Sequence, residues 1–158
     1  MTVNKHSLLS QTYRSVTDLG RKAAAGDAVL VIDGHEEIQL LFKQFPWAVA
    51  TVKDAMETYA PNGQLIKQPQ NTKTAFEGPV GIYEVIGGKA NAHLLAMIES
   101  GAQWNGTAYH GRPNDYTEKQ RLEGAFLVMD VADRDWESDT PLLLAGTLHY
   151  HYFAGVAS

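Results

Sequence analysis

The stretch 121–153 constrains the fold more than any other part of the chain, because two apolar runs flank a short acidic connection within it. The first run, 122–131, mixes aliphatic, aromatic and β-branched residues, and the second, 142–153, ends in alternating His and Tyr. These compositions favour strands over helices. Pro141 closes the connection, since proline cannot donate to a strand ladder but can open a strand. The sequence therefore predicts a long β-hairpin.

The second strand of this hairpin has two faces, and neither is plainly directed to solvent. Side chains alternate between the faces of a strand. One face would carry Leu142, Leu144, Gly146, Leu148, Tyr150 and Tyr152, and the other Leu143, Ala145, Thr147, His149, His151 and Phe153. We expect one face to close the core and the other to meet a partner sheet, a covering helix or a neighbouring subunit.

The composition predicts one ordinary globular domain over residues 1–158. The chain is 44% hydrophobic and 20% charged, which is too apolar for global disorder. The absence of cysteine excludes a disulfide scaffold and any thiolate metal site. We see no apolar run of membrane-spanning length and expect no signal peptide. A net charge of −5 argues against a nucleic-acid-binding surface.

The segment 1–26 is predicted to be helical at the N-terminus. Ser7 would cap a helix over 7–25 and Gly26 would end it, while Gly20 is a point at which the helix can break or bend. Apolar residues recur at spacings of three and four, which predicts a face packed against a sheet; they are Leu9, Tyr13, Val16, Leu19 and Ala23.

Two further hairpins are predicted before the middle of the chain. The pair Asp33–Gly34 is a turn signal that would join strands 28–32 and 37–45. The turn 61–63 would form the tip of a protruding hairpin over 52–74, although 50–59 fits helix or strand by composition. Its return strand, 64–74, is almost entirely polar, so we expect it to be an arm with a partner or a disordered segment.

The rest of the chain predicts a strand at 80–86, a helix at 89–100 and a loop at 106–116 with a possible short strand at 107–110. Gly101 is a natural stop for that helix. Gly87-Gly88-Lys89 stands between strand and helix but lacks the first glycine and the Ser or Thr of a phosphate-binding loop. The glycines more simply let the chain turn sharply.

Metal and catalytic patterns are weak. His149 and His151 would share one strand face and could bind zinc or iron, but with no matched third ligand, packing or an interface is the better interpretation. The acidic connection does not have the spacing of an EF-hand, which favours a solvated turn. No serine has the context of a nucleophile. We therefore expect no cofactor, no metal and no enzyme activity.

Most of the chain from about Ile38 onward resembles the inner tail-tube proteins of contractile-tailed bacteriophages, whose fold also occurs in the type VI secretion tube. The likeness is carried by 76–78 leading into 80–85, by the helix at 89–100, and by three closing patterns: Leu122-x-Gly124-Ala125-Phe126, the stretch 130–136, and Leu144-x-Gly146-Thr147-Leu148-x-Tyr150 to Phe153. It implies a mainly β fold, an antiparallel β-barrel or two-sheet sandwich, with an N-terminal helix and one flanking helix.

The same resemblance implies a structural virion protein that forms stacked hexameric rings of the tail tube, assembled in the host bacterial cytoplasm, through which DNA is ejected. Implied partners are other copies of the chain, the sheath protein, baseplate and tail-terminator proteins, and tape-measure protein and DNA in the lumen without sequence-specific binding. A net-negative wall would repel DNA phosphate. Alternatives are a tube-initiating baseplate protein, a secretion-system tube subunit and, remotely, a metal-dependent enzyme built on His149, His151 and the acidic turn.

Contacts between copies are then expected at three places: the arm, the acidic connection and the outer face of the last strand. The residues predicted to form them are Met56, Tyr59, Asn62, Gln64, Ile66, Lys67, Asp133, Arg134, Asp135, His149 and His151.

Overall fold

A computed structural model describes residues 5–155, and this part of the chain forms two α-helices, eight strands and one 3₁₀ helix. The first four residues of the predicted segment 1–26, and residues 156–158, lie outside the described part. The helices are α1 (Lys5–Asp18) and α2 (Lys89–Glu99), with the 3₁₀ helix at Glu36–Leu41. The strands are β1 (Ala28–Ile32), β2 (Phe42–Gln44), β3 (Ala55–Tyr59), β4 (Leu65–Pro69), β5 (Ala75–Tyr83), β6 (Trp104–Arg112), β7 (Asp115–Met129) and β8 (Leu143–His151).

Six strands form one antiparallel sheet in the order β1-β6-β7-β8-β5-β2, and β3 pairs with β4 in a separate two-stranded sheet. The mainly β, antiparallel fold with an N-terminal and a flanking helix is thus confirmed. Strand β7 spans both halves of the large sheet, pairing first with β6 and then with β8. An open cleft of about 680 Å³, lined by Ala28 of β1 and Phe42 of β2 among others, lies along the edge strands. The sheet is therefore not a closed barrel.

The bend in β7 is located at Gly124. The register with β8 shifts between Glu123 and Phe126, and Gly124 has φ +57, a conformation that L side chains rarely adopt. A bulge of this kind adds a residue to one strand and increases its twist. It lets the single strand contribute to both halves of the sheet.

Both halves contribute to one apolar core. Its largest fully buried side chains are Leu30, Ile32, Ile38, Val80, Ile82, Leu122 and Leu148. Burial of each stabilises the fold by about 1.5–3 kcal/mol relative to exposure. The predicted division of the last strand is confirmed, since Leu148 and Tyr150 are buried whereas His149 is only partly buried and His151 is exposed.

The predicted strand 37–45 is wrong, and so is the hairpin it would have formed with β1. Ile38 and Leu41 are three residues apart, so one turn of 3₁₀ helix directs both toward the core while Leu40 remains 84% exposed. The turn after β1 is fixed by a residue of β7, because Arg121 Nη2 lies 2.6 Å from Asp33 Oδ2. Strand β1 lies at the edge of the sheet and, within the described residues, pairs with β6 alone. Of the predicted strand 37–45, only the short strand β2 is present.

The N-terminal helix is present but shorter than predicted, and it does not pack against a sheet. It ends at Asp18, and Gly20 follows with φ +105, so the break occurs at Gly20 rather than at Gly26. All its residues are exposed in the described chain.

The predicted loop 106–116 is wrong except for its short strand at 107–110, which lies within the longer strand β6. A Cβ added at Gly106 would lie 2.8 Å from the carbonyl oxygen of Val31, so this glycine permits close approach of β1 rather than a loop. The helix at 89–100 is confirmed as α2, and Gly101 follows it with φ +117. The strand predicted at 80–86 begins earlier and ends at Tyr83.

One buried polar side chain ties the sheet to the segment that precedes the arm. Gln120 of β7 is 3% exposed, and its amide group accepts from the Ala48 N–H (3.1 Å) and donates to the Ala48 carbonyl (2.6 Å). Both backbone groups of Ala48 are thereby satisfied by one side chain. Sequence analysis missed Gln120, although it shares the face of Leu122 two residues later.

The sheet gives the molecule two ends. At the first, β8 finishes at His151 opposite Ala75 of β5, beside the base of the arm; we call this the arm end. At the second, β7 is connected to β8 by residues 130–142, and Glu84 donates its N–H to the Leu142 carbonyl; we call this the loop end. Strand β8 separates the two ends by about 30 Å at about 3.3 Å per residue.

Candidate assembly interface

The arm is a two-stranded antiparallel ladder that extends beyond β3 and β4 in both directions. Lys73 donates to the Thr51 carbonyl (2.9 Å) at the base, and Ala60 donates to the Gln64 carbonyl (2.8 Å) at the tip. The continuous ladder has five pairs, from Ala55 and Pro69 to Tyr59 and Leu65, and Val52 lies opposite Thr72 as an isolated bridge beyond it. At about 3.3 Å per residue, the positions from Thr51 to Ala60 span at most about 30 Å. The predicted hairpin around the turn 61–63 is therefore confirmed.

Both faces of the arm carry exposed apolar side chains. Tyr59 lies opposite Leu65 on one face, while Met56 and Ile66 share the other. Tyr59 is 73% exposed, and Met56, Leu65 and Ile66 are each between 40% and 45% exposed. An isolated hairpin in water is only marginally stable, and exposed apolar surface of this kind makes the arm a candidate interaction site.

The polar side chains of the arm are local in their contacts. Lys67 Nζ lies 3.4 Å from Glu57 Oε1 across the ladder, with both side chains more than half exposed, so this pair contributes little to stability. Asn62 Oδ1 accepts from the Gln64 N–H at 3.2 Å, which shapes the tip. The six arm residues predicted as interface all lie on this exposed ladder or at its tip.

His149 and His151 lie at the arm end on the outer face of β8, where they have separate partners. The His149 ring stacks on Phe126, with ring centroids 4.8 Å apart, and its Nδ1 is 3.3 Å from Glu77 Oε2. His151 Nδ1 lies 3.2 Å from the Glu123 carbonyl. Within residues 5–155 no group of three or more His, Asp or Glu could hold a metal ion. The two histidines thus contribute an aromatic, titratable surface beside the arm.

Asp133, Arg134 and Asp135 are exposed and lie at the loop end, at the other end of β8 from the arm. Beside them, an open groove of about 750 Å³ is lined by apolar side chains of the loop and of the β5–α2 connection, with Glu84 and Arg134 among its lining residues. The apolar members are Val85, Ile86, Ala132, Pro141, Leu142 and Leu144.

Glu84 organises the floor of this groove. Its carboxylate accepts from the backbone N–H groups of Ala90 and Asn91 at the start of α2 and from that of Val85, each at 2.9 Å. Burial raises the pKa of Glu84, but these three hydrogen bonds, together with the nearby positive charge of Arg134, lower it below the ordinary 4.5. Gly88, the residue before α2, has no side chain that could cap the helix, so the carboxylate of Glu84 takes this role.

We predict that Glu84→Gln lowers the free energy of unfolding by about 1 kcal/mol at pH 7, the usual value of a helix cap. A carboxyl whose pKa is lowered on folding stabilises the protein above its unfolded pKa, and the effect disappears as pH falls through the folded pKa. The difference between wild type and variant in urea denaturation should therefore shrink as the pH falls below 4.5, and vanish once the pH lies below the lowered pKa of the folded state. A difference that persists unchanged at lower pH would contradict the capping role.

A second titratable cluster connects the 3₁₀ helix to α2. His35 Nδ1 and His93 Nδ1 are 2.8 Å apart, so one ring must donate and the other accept. Glu37 Oε2 lies 3.4 Å from Lys89 Nζ and 3.6 Å from His93 Nε2, and the hydrogen bond from Lys89 lowers the pKa of Glu37. These two histidines were not linked from the sequence, because nothing in a single strand or helix pattern relates positions 35 and 93.

Helix α1 presents an apolar stripe to solvent. Leu9, Tyr13 and Val16 follow one another at spacings of four and three, which places them on one face. They are 65%, 70% and 43% exposed. No helix in residues 5–155 is long and apolar enough to cross a membrane.

Three solved structures share this fold at 14% sequence identity. A chain of the sheath-tube complex of an extracellular contractile injection system, PVC, in the extended state is 14% identical with a TM-score of 0.56, covering 86% of this chain and 92% of that one. A chain from the PVC sheath/tube terminator is 14% identical with a TM-score of 0.64, covering 84% and 94%. A chain from the anti-feeding prophage tube terminating cap is 14% identical with a TM-score of 0.53, covering 82% and 87%.

Comparison of the sequence with family models gave no match, and no curated protein sequence is significantly similar. The relationship is thus one of fold: this chain has the tail-tube-like fold found in components of contractile injection systems.

Proposed function

We propose that this chain is a subunit of the inner tube of a contractile tail, a structural virion protein that assembles into stacked hexameric rings. The tube would conduct DNA during ejection and would contact the sheath, baseplate, terminator and tape-measure proteins. The shared fold supports this function, and so does the similarity in length to chains from sheath-tube and terminator complexes.

The observation that carries the proposal is the arm. It extends at most about 30 Å from its base and exposes apolar side chains on both faces, a combination that costs free energy in an isolated chain. A neighbouring copy in a ring would cover these side chains. The outer face of β8, with His149 beside the arm base, would then be the adjoining part of the same interface.

Negative-stain microscopy of the purified protein at rising concentration tests this function. We expect rings at moderate concentration and tubes of stacked rings at high concentration, alone or with the sheath protein. Particles that remain monomeric at every concentration, with and without the sheath protein, would contradict it.

A second candidate is a protein at one end of the tube. The highest of the three TM-scores, 0.64, is with a chain from the sheath/tube terminator, and a chain of the anti-feeding prophage baseplate also matches at 0.54. An end component would form single rings that do not stack on themselves. The same micrographs separate the candidates, because isolated rings at the highest concentration favour the end component.

A further inference from the structure

The apolar face of α1 and the partly apolar groove at the loop end are two exposed surfaces of the described chain. The helix has 14 residues, about 21 Å of length, with its stripe at the spacing by which amphipathic helices bind grooves. The groove is apolar along the connection from β5 to α2, where Ile86 is fully exposed, and along Pro141 and Leu142.

The charges around these two surfaces are opposite. Residues 5–22 carry four basic side chains against one acidic, a net charge of +3, while residues 130–142 carry five acidic side chains against one basic, a net charge of −4. Complementary charge favours this pairing over other surfaces and accelerates encounter. The contribution of exposed charges falls as salt rises.

Helix α1 is connected through residues 19–27 to the end of the sheet opposite the groove. The segment after α1 enters β1 at Ala28, which pairs with His110 and, through it, with Glu118 of β7. The groove lies beyond Met129, eleven residues further along β7, or about 35 Å along the strand. In the structure α1 is exposed throughout and does not occupy the groove.

We propose that α1 of one copy binds in the loop-end groove of a second copy, with Leu9, Tyr13 and Val16 inserted toward Ile86 and the basic residues facing the acidic loop. The contact joins different surfaces of the two copies, so it repeats from copy to copy and builds an open stack. This inference rests on the proposed tube and assigns the partner that holds one ring on the next.

Cross-linking tests the contact directly, because the chain has no cysteine of its own. Full-length Val16→Cys is mixed with full-length Ile86→Cys that carries a mass tag, and a short bismaleimide is added. The matched control is Asp18→Cys, an exposed position two residues later and thus on the opposite side of the helix. A second control replaces the groove position by Leu40→Cys, which is 84% exposed on the 3₁₀ helix.

A docked helix holds its thiol at high effective concentration beside the groove, so we expect about tenfold more cross-linked heterodimer for the Val16 and Ile86 pair than for either control. The yield should fall with added salt. It should also fall when Lys5→Glu and Arg21→Glu are added to the helix variant, and recover when the groove variant also carries Asp133→Lys and Asp135→Lys.

Equal yields of cross-linked heterodimer from Val16→Cys and Asp18→Cys, or no heterodimer from any pair, would overturn the proposed contact. Micrographs of the same samples keep this result separate from the proposed function. Rings or tubes without a preference for the Val16 pair would overturn only the helix contact, whereas a clear preference in samples without rings or tubes would support the contact and contradict the tube.

Discussion

Excision of the arm is expected to leave the domain folded and to prevent assembly. The variant replaces residues 55–69 with Asn-Gly, a two-residue hairpin turn, between Asp54 and Gln70, whose backbones are already hydrogen bonded at 2.9 Å. The core does not include any residue of the arm strands, so the unfolding temperature should change little. If Tyr59 and Ile66 each anchor the interface with about 2 kcal/mol, assembly should require about a thousandfold higher concentration.

The matched variants keep the arm at full length. Tyr59→Ser with Ile66→Ser should reproduce most of the assembly defect, while Leu40→Ser, at an even more exposed apolar position on the 3₁₀ helix, should assemble as the wild type does. Sedimentation velocity measures assembly, and circular dichroism measures folding. Assembly of the shortened protein at the wild-type concentration would contradict the role of the arm, and its failure to fold would show that the arm belongs to the folding unit.

Gln120→Leu is expected to be the most destabilising of the single substitutions considered. Leucine fills the space but leaves the N–H and carbonyl of Ala48 buried without their partners, at 3.1 and 2.6 Å in the wild type. Leaving a buried polar group unsatisfied costs about 1–3 kcal/mol. We expect the free energy of unfolding to fall by about 3 kcal/mol and the unfolding temperature by about 10 °C.

The control for this substitution is Glu118→Leu, two residues earlier on the same strand and exposed. It should change the free energy of unfolding by no more than about 0.5 kcal/mol. Calorimetry of the two variants provides the comparison. Equal stability of Gln120→Leu and Glu118→Leu would show that the bonds to Ala48 do not hold the segment before the arm.

Periodicity and turn chemistry were sufficient to predict the last hairpin, the arm and α2. The alternation around Leu148 and Tyr150 correctly identified the core face, because a strand offers only two sides. The turn 61–63 correctly placed the tip of the arm, because its residues tolerate the backbone that a tight turn needs.

Errors arose where tertiary contacts decide the local structure. The apolar residues at 38–42 were interpreted as a strand, but the spacing of Ile38 and Leu41 and the fixing of Asp33 by Arg121 favour a 3₁₀ helix. Gly106 was interpreted as a loop residue, but it is required by the approach of β1. Neither the capping of α2 by Glu84 nor the bond between His35 and His93 is visible in a local pattern, since the first spans six residues and the second fifty-eight.

For the candidate interface as well, local patterns predicted some features, while others depend on tertiary contacts. Exposure of the arm followed from its polarity, while its position beside His149 depended on the pairing of β5 with β8. The groove at the loop end was not predicted, because it combines the β5–α2 connection with the acidic loop.

The most direct test of the tube interpretation is a cryo-electron microscopy reconstruction of the particles that form at high concentration. We expect six copies around a hollow axis, with each arm covering a neighbouring copy so that Tyr59 and Ile66 are buried between subunits. A ring in which both faces of the arm remain in solvent, or a protein that stays monomeric, would contradict it.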